Sequence, residues 1–263
     1  MDGAIEVLRD GPVRLEALEG GAVWRAVLAT PKANILDMKK CEILSGLFRE
    51  AGSAKALKAV IIDADGPHFS FGASVQEHLP EQIEAMLGGF HQLFYSILDS
   101  GVPTVASVRG QCLGGAMELA IFCNRLVAAP DAVFGQPEIV LGVIAPVASV
   151  MLADRVGRGL AEDLLISGRS INADKGLAVG LVDQVTDDPG EAALEYVREH
   201  LLPKSASSLR FAVRAARVDF EKGVRRDLAE VERLFLKELI KTPDALEGLN
   251  AFLEKRKPEW EGG

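Results

Sequence analysis

Apolar and polar residues alternate from Val13 to Ala17, Glu19-Gly20-Gly21 supplies a turn, and an extended pattern resumes from Val23 to Leu28, which predicts an opening hairpin. Asp37 is placed to cap a helix from about Met38 to Ala51, since its carboxylate can take a free N–H of the first turn. Lys58-Ala59-Val60-Ile61-Ile62 has the nearly continuous apolar character of a strand buried on both faces. After a loop over Gly66 to Gly72, Pro80 opens a long helical pattern that runs to about Leu98. Pro103 to Val108 reads as a short strand, and a glycine turn then leads into a helix over Gly114 to Cys123. Strands alternating with helices predict an α/β core with largely parallel strands.

From Pro189 the pattern is almost entirely helical, with Pro203, Gly223 and Pro243 as punctuation. Residues 1–188 are therefore expected to form a core that carries the site, and residues 189–263 a C-terminal helical extension. In that extension Leu228, Val231, Leu234, Phe235 and Leu239 form a stripe at helical spacing, facing either the core or another subunit. No repeat, low-complexity tract or flexible linker marks two freely moving domains.

A chain of 263 residues suits one domain with such an extension, because single cores stop growing near about 250–300 residues. Hydrophobic residues make up 48% and charged residues 25%, the balance of a folded globular protein. The formal charge of −9 opposes a nucleic-acid surface, so no nucleic-acid partner is expected. The longest weakly polar run, Ile139 to Ala153, is shorter than the roughly 20 residues of a membrane span and contains Pro146, so it reads as buried, with no membrane partner. Met1 to Glu6 lacks a basic start followed by an apolar run, and the expected compartment is the cytoplasm. Cys41, Cys112 and Cys123 form no Cys-x-x-Cys pair and are expected as reduced, mostly buried thiols. His68, His78, His91 and His200 are scattered, and no metal centre is expected.

Candidate chemistry starts at Gly110 to Ala120, where paired glycines lie between a strand and a helix. Free N–H groups at such a helix start can hold an oxygen that becomes negative during reaction. The pattern is neither Gly-x-Gly-x-x-Gly nor a phosphate loop, which disfavours a nucleotide site. Glu118 projects from the first turn of that helix, and Glu138 lies between Pro137 and an apolar run, where a charge must be partnered or used. Two carboxylates converging in a dry pocket suit acid and base work, because their environments can separate their pKa values. His68 and Ser70, in the loop Pro67 to Ser74, stand in no nucleophile-elbow motif and have no evident acid partner.

Four pieces, taken in chain order, together resemble the enoyl-CoA hydratase/isomerase, or crotonase, superfamily. They are the Phe69–Ser74 loop, the Gly114–Leu119 turn and helix, Phe134-Gly135-Gln136-Pro137-Glu138, and the tail Phe252 to Pro258. The resemblance covers nearly the whole chain and implies a ββα spiral core with a C-terminal helical region, assembled as a homotrimer or a homohexamer. It implies that the N–H groups of Ala73 and Gly115 hold the thioester oxygen of an acyl-CoA and stabilise an enolate. With both hydratase glutamates present, it favours water addition over isomerisation, decarboxylation or dehalogenation, Glu118 activating water and Glu138 carrying the proton to carbon. It further implies coenzyme A contacts at Lys32, Ala33 and Phe71, and at Phe252 and Lys255 of the tail, sometimes from a neighbouring subunit. No cofactor is implied beyond the coenzyme A of the substrate.

The chain departs from the family pattern at Ser74, where aspartate is usual, and at Gln76, where lysine is familiar. The larger departure is Leu141 to Ser149, in which Ala145-Pro146-Val147 puts side chains where a glycine-rich stretch is common. With the Phe69–Pro80 segment, this looks most like family members that hydrate a cyclic conjugated dienoyl-CoA. Hydroxide would then add at the β-carbon and the proton at the far end of the diene. The alternative is a general enoyl-CoA hydratase or isomerase for linear chains. A non-catalytic acyl-CoA-binding or RNA-binding member is expected to lose the glutamates or carry a basic face.

Overall fold

The opening alternation produces its hairpin: β2 (Val13–Leu18) pairs antiparallel with β3 (Val23–Leu28), Val13 opposite Leu28 and Leu18 opposite Val23. The computed structural model describes residues 5–262, so most of the segment read for a leader lies outside the described residues. A short outer strand, β1 (Glu6–Arg9), adds to β2. The remaining strands are β4 (Ala59–Ala64), β5 (Thr104–Val108), β6 (Gln111–Leu113), β7 (Arg125–Ala128), β8 (Val133–Gly135), β9 (Ser170–Asn172) and β10 (Gln184–Val185). The helices are α1 (Met38–Ser53), α2 (Ile83–Ser100), α3 (Gly115–Phe122), α4 (Pro146–Val156), α5 (Arg158–Ser167), α6 (Ala173–Ala178), α7 (Pro189–Tyr196), α8 (Ala206–Ala216), α9 (Val218–Lys237) and α10 (Pro243–Leu253).

The main sheet has the order β1-β2-β3-β4-β5-β7-β10, parallel from β3 onward. Successive residues of β4 point to opposite faces. Val60 and Ile62 join the main core with α1 and α2, whereas Ala59 and Ile61 face Ala193 of α7 and Val197 just beyond it. Cover on both faces explains the unbroken apolar run. A small second sheet, β6-β8-β9, carries the segments that build the site.

Asp37 caps α1 by accepting the Lys40 N–H at 2.8 Å. The Pro80 helix instead begins at Ile83, because residues 75–78 form a 3-10 turn and Leu79 is extended. Gly223 does not punctuate the tail. It lies inside unbroken α9, and the chain bends at Arg217 between α8 and α9. The run from Ile139 is not wholly buried: Val140 is 57% exposed, since the 3-10 turn Pro137–Leu141 points Ile139 and Val140 outward. Of the tail stripe, Leu228 and Phe235 enter the core while Leu234 stays 43% exposed. All three cysteines are free and buried.

The carbonyl end of α3 is held by two cations. Arg155 of α4 donates to the carbonyls of Ile121 and Cys123, and Arg217 donates to that of Phe122 at 2.7 Å. Positive charge is favourable there, opposite in sign to what the other end of the helix prefers.

Candidate active site

β6 runs into α3 through Gly114, whose φ of +53° suits glycine and whose N–H donates to the Gly135 carbonyl of β8 at 2.9 Å. The Phe69–Ser74 loop lies along β6: Ser70 N–H donates to Gln111 O, and Leu113 N–H to Ser70 O. Gly72 then makes a close pass, for a Cβ there would stand 2.6 Å from Leu113 O and 3.4 Å from Gly115 N. A Cβ on Gly115 would in turn stand 3.4 Å from Ala73 N, so the Ala73 and Gly115 amides are neighbours. As the first residue of α3, Gly115 has no intrahelical acceptor for its N–H. Neither amide donates to another backbone carbonyl among the described residues. Two adjacent free donors at a helix N-terminus have the geometry that an oxyanion hole requires.

Glu118 lies one turn into α3, is 2% exposed, and accepts the Ala148 N–H at 2.7 Å. The Ala145-Pro146-Val147 departure is the start of α4. Pro146 occupies the first helical position, where its missing N–H costs nothing, and the amides of Val147 and Ala148 converge on Glu118. Glu138 stands in the Pro137–Leu141 turn with Oε1 where a Cβ on Gly114 would be only 2.5 Å away, so the glycine admits the carboxylate. Buried Gln136 stands beside it. With its amide nitrogen toward Glu138 it donates to the two oxygens at 3.1 and 3.3 Å; with the amide oxygen there it accepts from the protonated acid.

Burial pushes the Glu118 carboxyl up to about 7, against the pull of the Ala148 and Val147 amides. Burial raises Glu138 to about 8, and the neighbouring Glu118 charge adds to the rise. Near neutrality the pair therefore holds one proton, and the two amides favour Glu118 as the ionised member. A base that must be ionised and an acid that must be protonated give a bell-shaped kcat/KM. It is expected to rise through about 7 and fall through about 8, the apparent values belonging to the pair. A rate independent of pH between about 6 and about 9 contradicts these roles.

The sequence profile of the enoyl-CoA hydratase/isomerase family matches residues 19–263. The chain belongs to the enoyl-CoA hydratase/isomerase family. It is 52% identical over 250 residues to the cyclohexa-1,5-dienecarbonyl-CoA hydratase of Thauera aromatica, covering 95% of this chain and 97% of that one. It is 33% identical over 239 residues to a probable enoyl-CoA hydratase of Mycobacterium tuberculosis, covering 89% and 92%. In fold it matches the crystal structure of an enoyl-CoA hydratase from Mycobacterium avium subsp. paratuberculosis with a TM-score of 0.84 at 24% identity, over 97% of this chain and all of that one.

Among the coenzyme A positions expected in an enoyl-CoA hydratase/isomerase chain, Ala33 and Phe71 are joined, Phe71 N–H donating to Ala33 O at 2.9 Å. Lys32 is exposed beside them, at a φ of +91°. Phe252 and Lys255 are exposed at the far end of α10, and no hydrogen bond or ion pair among the described residues joins them to the Lys32–Phe71 segment. His68 and Ser70 are loop braces: His68 Nδ1 accepts the Gln111 N–H, and Ser70 Oγ accepts the Gly72 N–H at 3.0 Å. The chamber beside the hole is a cavity of about 50 Å³ with apolar walls from Phe71, Val75, Leu141 and Val143. His78 also lines it, and Gln136 stands beside Glu138; no residue spacing in the sequence marks either as part of the site.

Proposed function

We propose that the chain adds water to cyclohexa-1,5-diene-1-carbonyl-CoA, giving 6-hydroxycyclohex-1-ene-1-carbonyl-CoA. The 52% identity to a hydratase of that name carries the reading, and the paired carboxylates beside two free amides support it. The Ala73 and Gly115 amides hold the thioester oxygen. Glu118 takes a proton from water as its oxygen bonds to the β-carbon, and the displaced electron pair moves through the thioester as a dienolate. Glu138 gives its proton to the far carbon of the diene, so one water is added in all. Lys32, Ala33 and Phe71, with Phe252 and Lys255, bind the coenzyme A, and no other cofactor takes part.

The test follows loss of the conjugated-thioester absorbance and the mass of the product for the cyclic diene and for a linear trans-2-enoyl-CoA. Gain of one water on the cyclic diene with little turnover of the linear chain is expected. The opposite preference makes this a linear enoyl-CoA hydratase and reduces Ala145-Pro146-Val147 to packing.

Residues 1–188 act in this reading as the catalytic core and residues 189–263 as the helical extension that joins copies of the chain, in the cytoplasm. Helices α8 and α9 leave Phe211, Val218 and Leu234 exposed at 69, 47 and 43%. Such a face suits a homotrimer or a homohexamer. Light scattering is expected to return three or six times the chain mass, and a monomer mass removes the assembly.

A further inference from the structure

Among the described residues, one polar side chain besides Glu138 lines the chamber. His78 ends the 3-10 turn that follows Ala73, and its Nδ1 lies 2.7 Å from the Ser74 carbonyl. A carbonyl only accepts, so Nδ1 carries the hydrogen and the neutral ring leaves a lone pair on Nε2. That nitrogen makes no hydrogen bond among the described residues. Glu77, the adjacent acid, is engaged elsewhere and accepts the Met38 N–H at 3.0 Å. Burial holds His78 below the usual histidine range, which favours the neutral, accepting form.

The attacking water has two O–H bonds, and its base takes one. In the proposed addition the carbon attacked and the carbon protonated lie on opposite sides of the ring. A single carboxylate cannot hold the second O–H and also stand at the far carbon. We propose that His78 Nε2 accepts this second hydrogen and, once the C–O bond has formed, continues to accept it as the hydroxyl of the product. His78 thereby becomes a further catalytic residue and a specificity determinant for hydroxylated acyl groups, an inference that rests on the hydratase reading above. The balance is complete: one water proton goes to Glu118, the Glu138 proton goes to carbon, and His78 neither gains nor loses one.

The test compares binding of 6-hydroxycyclohex-1-ene-1-carbonyl-CoA with that of cyclohex-1-ene-1-carbonyl-CoA, which lacks the hydroxyl, to wild type, His78→Phe and His78→Gln. In His78→Phe the hydroxylated ligand is expected to bind about tenfold more weakly while the other is unchanged, with kcat lower by about the same factor. The amide oxygen of His78→Gln is expected to restore part of both. Equal weakening of the two ligands reduces His78 to a brace on the Ser74 loop and overturns the proposal, as does no weakening. Should the variants not fold, ¹⁵N spectra of wild-type histidines decide: Nε2 of His78 shifts with the hydroxylated ligand and not with its partner, and no difference overturns the proposal. Failure of wild type to hydrate the cyclic diene is a separate result that removes the substrate reading. The same contrast then runs with 3-hydroxybutyryl-CoA and butyryl-CoA.

Discussion

Glu138→Gln is expected to lower kcat by about 10²–10⁴-fold, the range for loss of a positioned acid, with KM little changed. The amide is the same size as the acid and can still pair with Gln136, so the chamber keeps its shape. What it cannot do is release a proton to carbon. The alkaline limb of the pH profile is expected to vanish with the acid, since burial and the Glu118 charge are what keep Glu138 protonated up to about 8. Glu118→Gln is expected to cost a similar factor, because its amide oxygen can still accept from Ala148 but no longer takes a proton from water. Steady-state kinetics at several pH values, with binding of an unreactive acyl-CoA as the control for folding, provides the check. Full activity in Glu138→Gln makes the assigned acid role wrong.

Gly72→Ala is expected to lower kcat by about 10²–10³-fold by spoiling the oxyanion hole. Its φ of +98° strains any other residue, and the new Cβ meets the Leu113 carbonyl at 2.6 Å. That carbonyl belongs to β6, which is locked to β8 on one side and to Ser70 on the other, so the loop has to move instead. Ala73 moves with it, and its amide leaves the place beside Gly115. The absorbance of a bound conjugated thioester, red-shifted when its carbonyl is polarised, is expected to return toward its value in water. Gly88→Ala is the contrast. It sits in α2 with nothing within 4 Å of the added carbon, and its rate is expected to be unchanged. Wild-type polarisation in Gly72→Ala would show that the hole is built elsewhere.

Much of the core was legible because local and long-range demands agree along the chain. Asp37 announces α1, the alternation at Val13 announces the hairpin, and the buried β4 strand is apolar on both faces because both faces are covered. β1 offered no such signal: its four residues are all exposed, so no burial imposes a pattern. Gly223 misled for a related reason. A helix tolerates one glycine at a cost of about 1 kcal/mol when its neighbours supply the packing, as Val224 and Leu228 do here. At the site, the glycine turn and both glutamates could be read from residue types and order. Their environments could not, since the amides that orient Glu118 come from Val147 and Ala148, about thirty positions later. His78 reads in the sequence only as one of four scattered histidines, because its ring orientation is set by one contact, to the Ser74 carbonyl, that no spacing rule encodes.

The arginines at the far end of α3 bear on protein design. Transplanting Gly114 to Phe122 onto a different α/β scaffold would import the Gly115 amide and the Glu118 carboxylate in nine residues. It would also strand the carbonyls of Ile121 and Phe122, with that of Cys123 just beyond, which here rest on Arg155 from α4 and Arg217 from the bend before α9. The minimal portable unit therefore spans at least three parts of the chain, and a graft without those two cations would deliver Gly115 and Glu118 on a helix with an unsupported end.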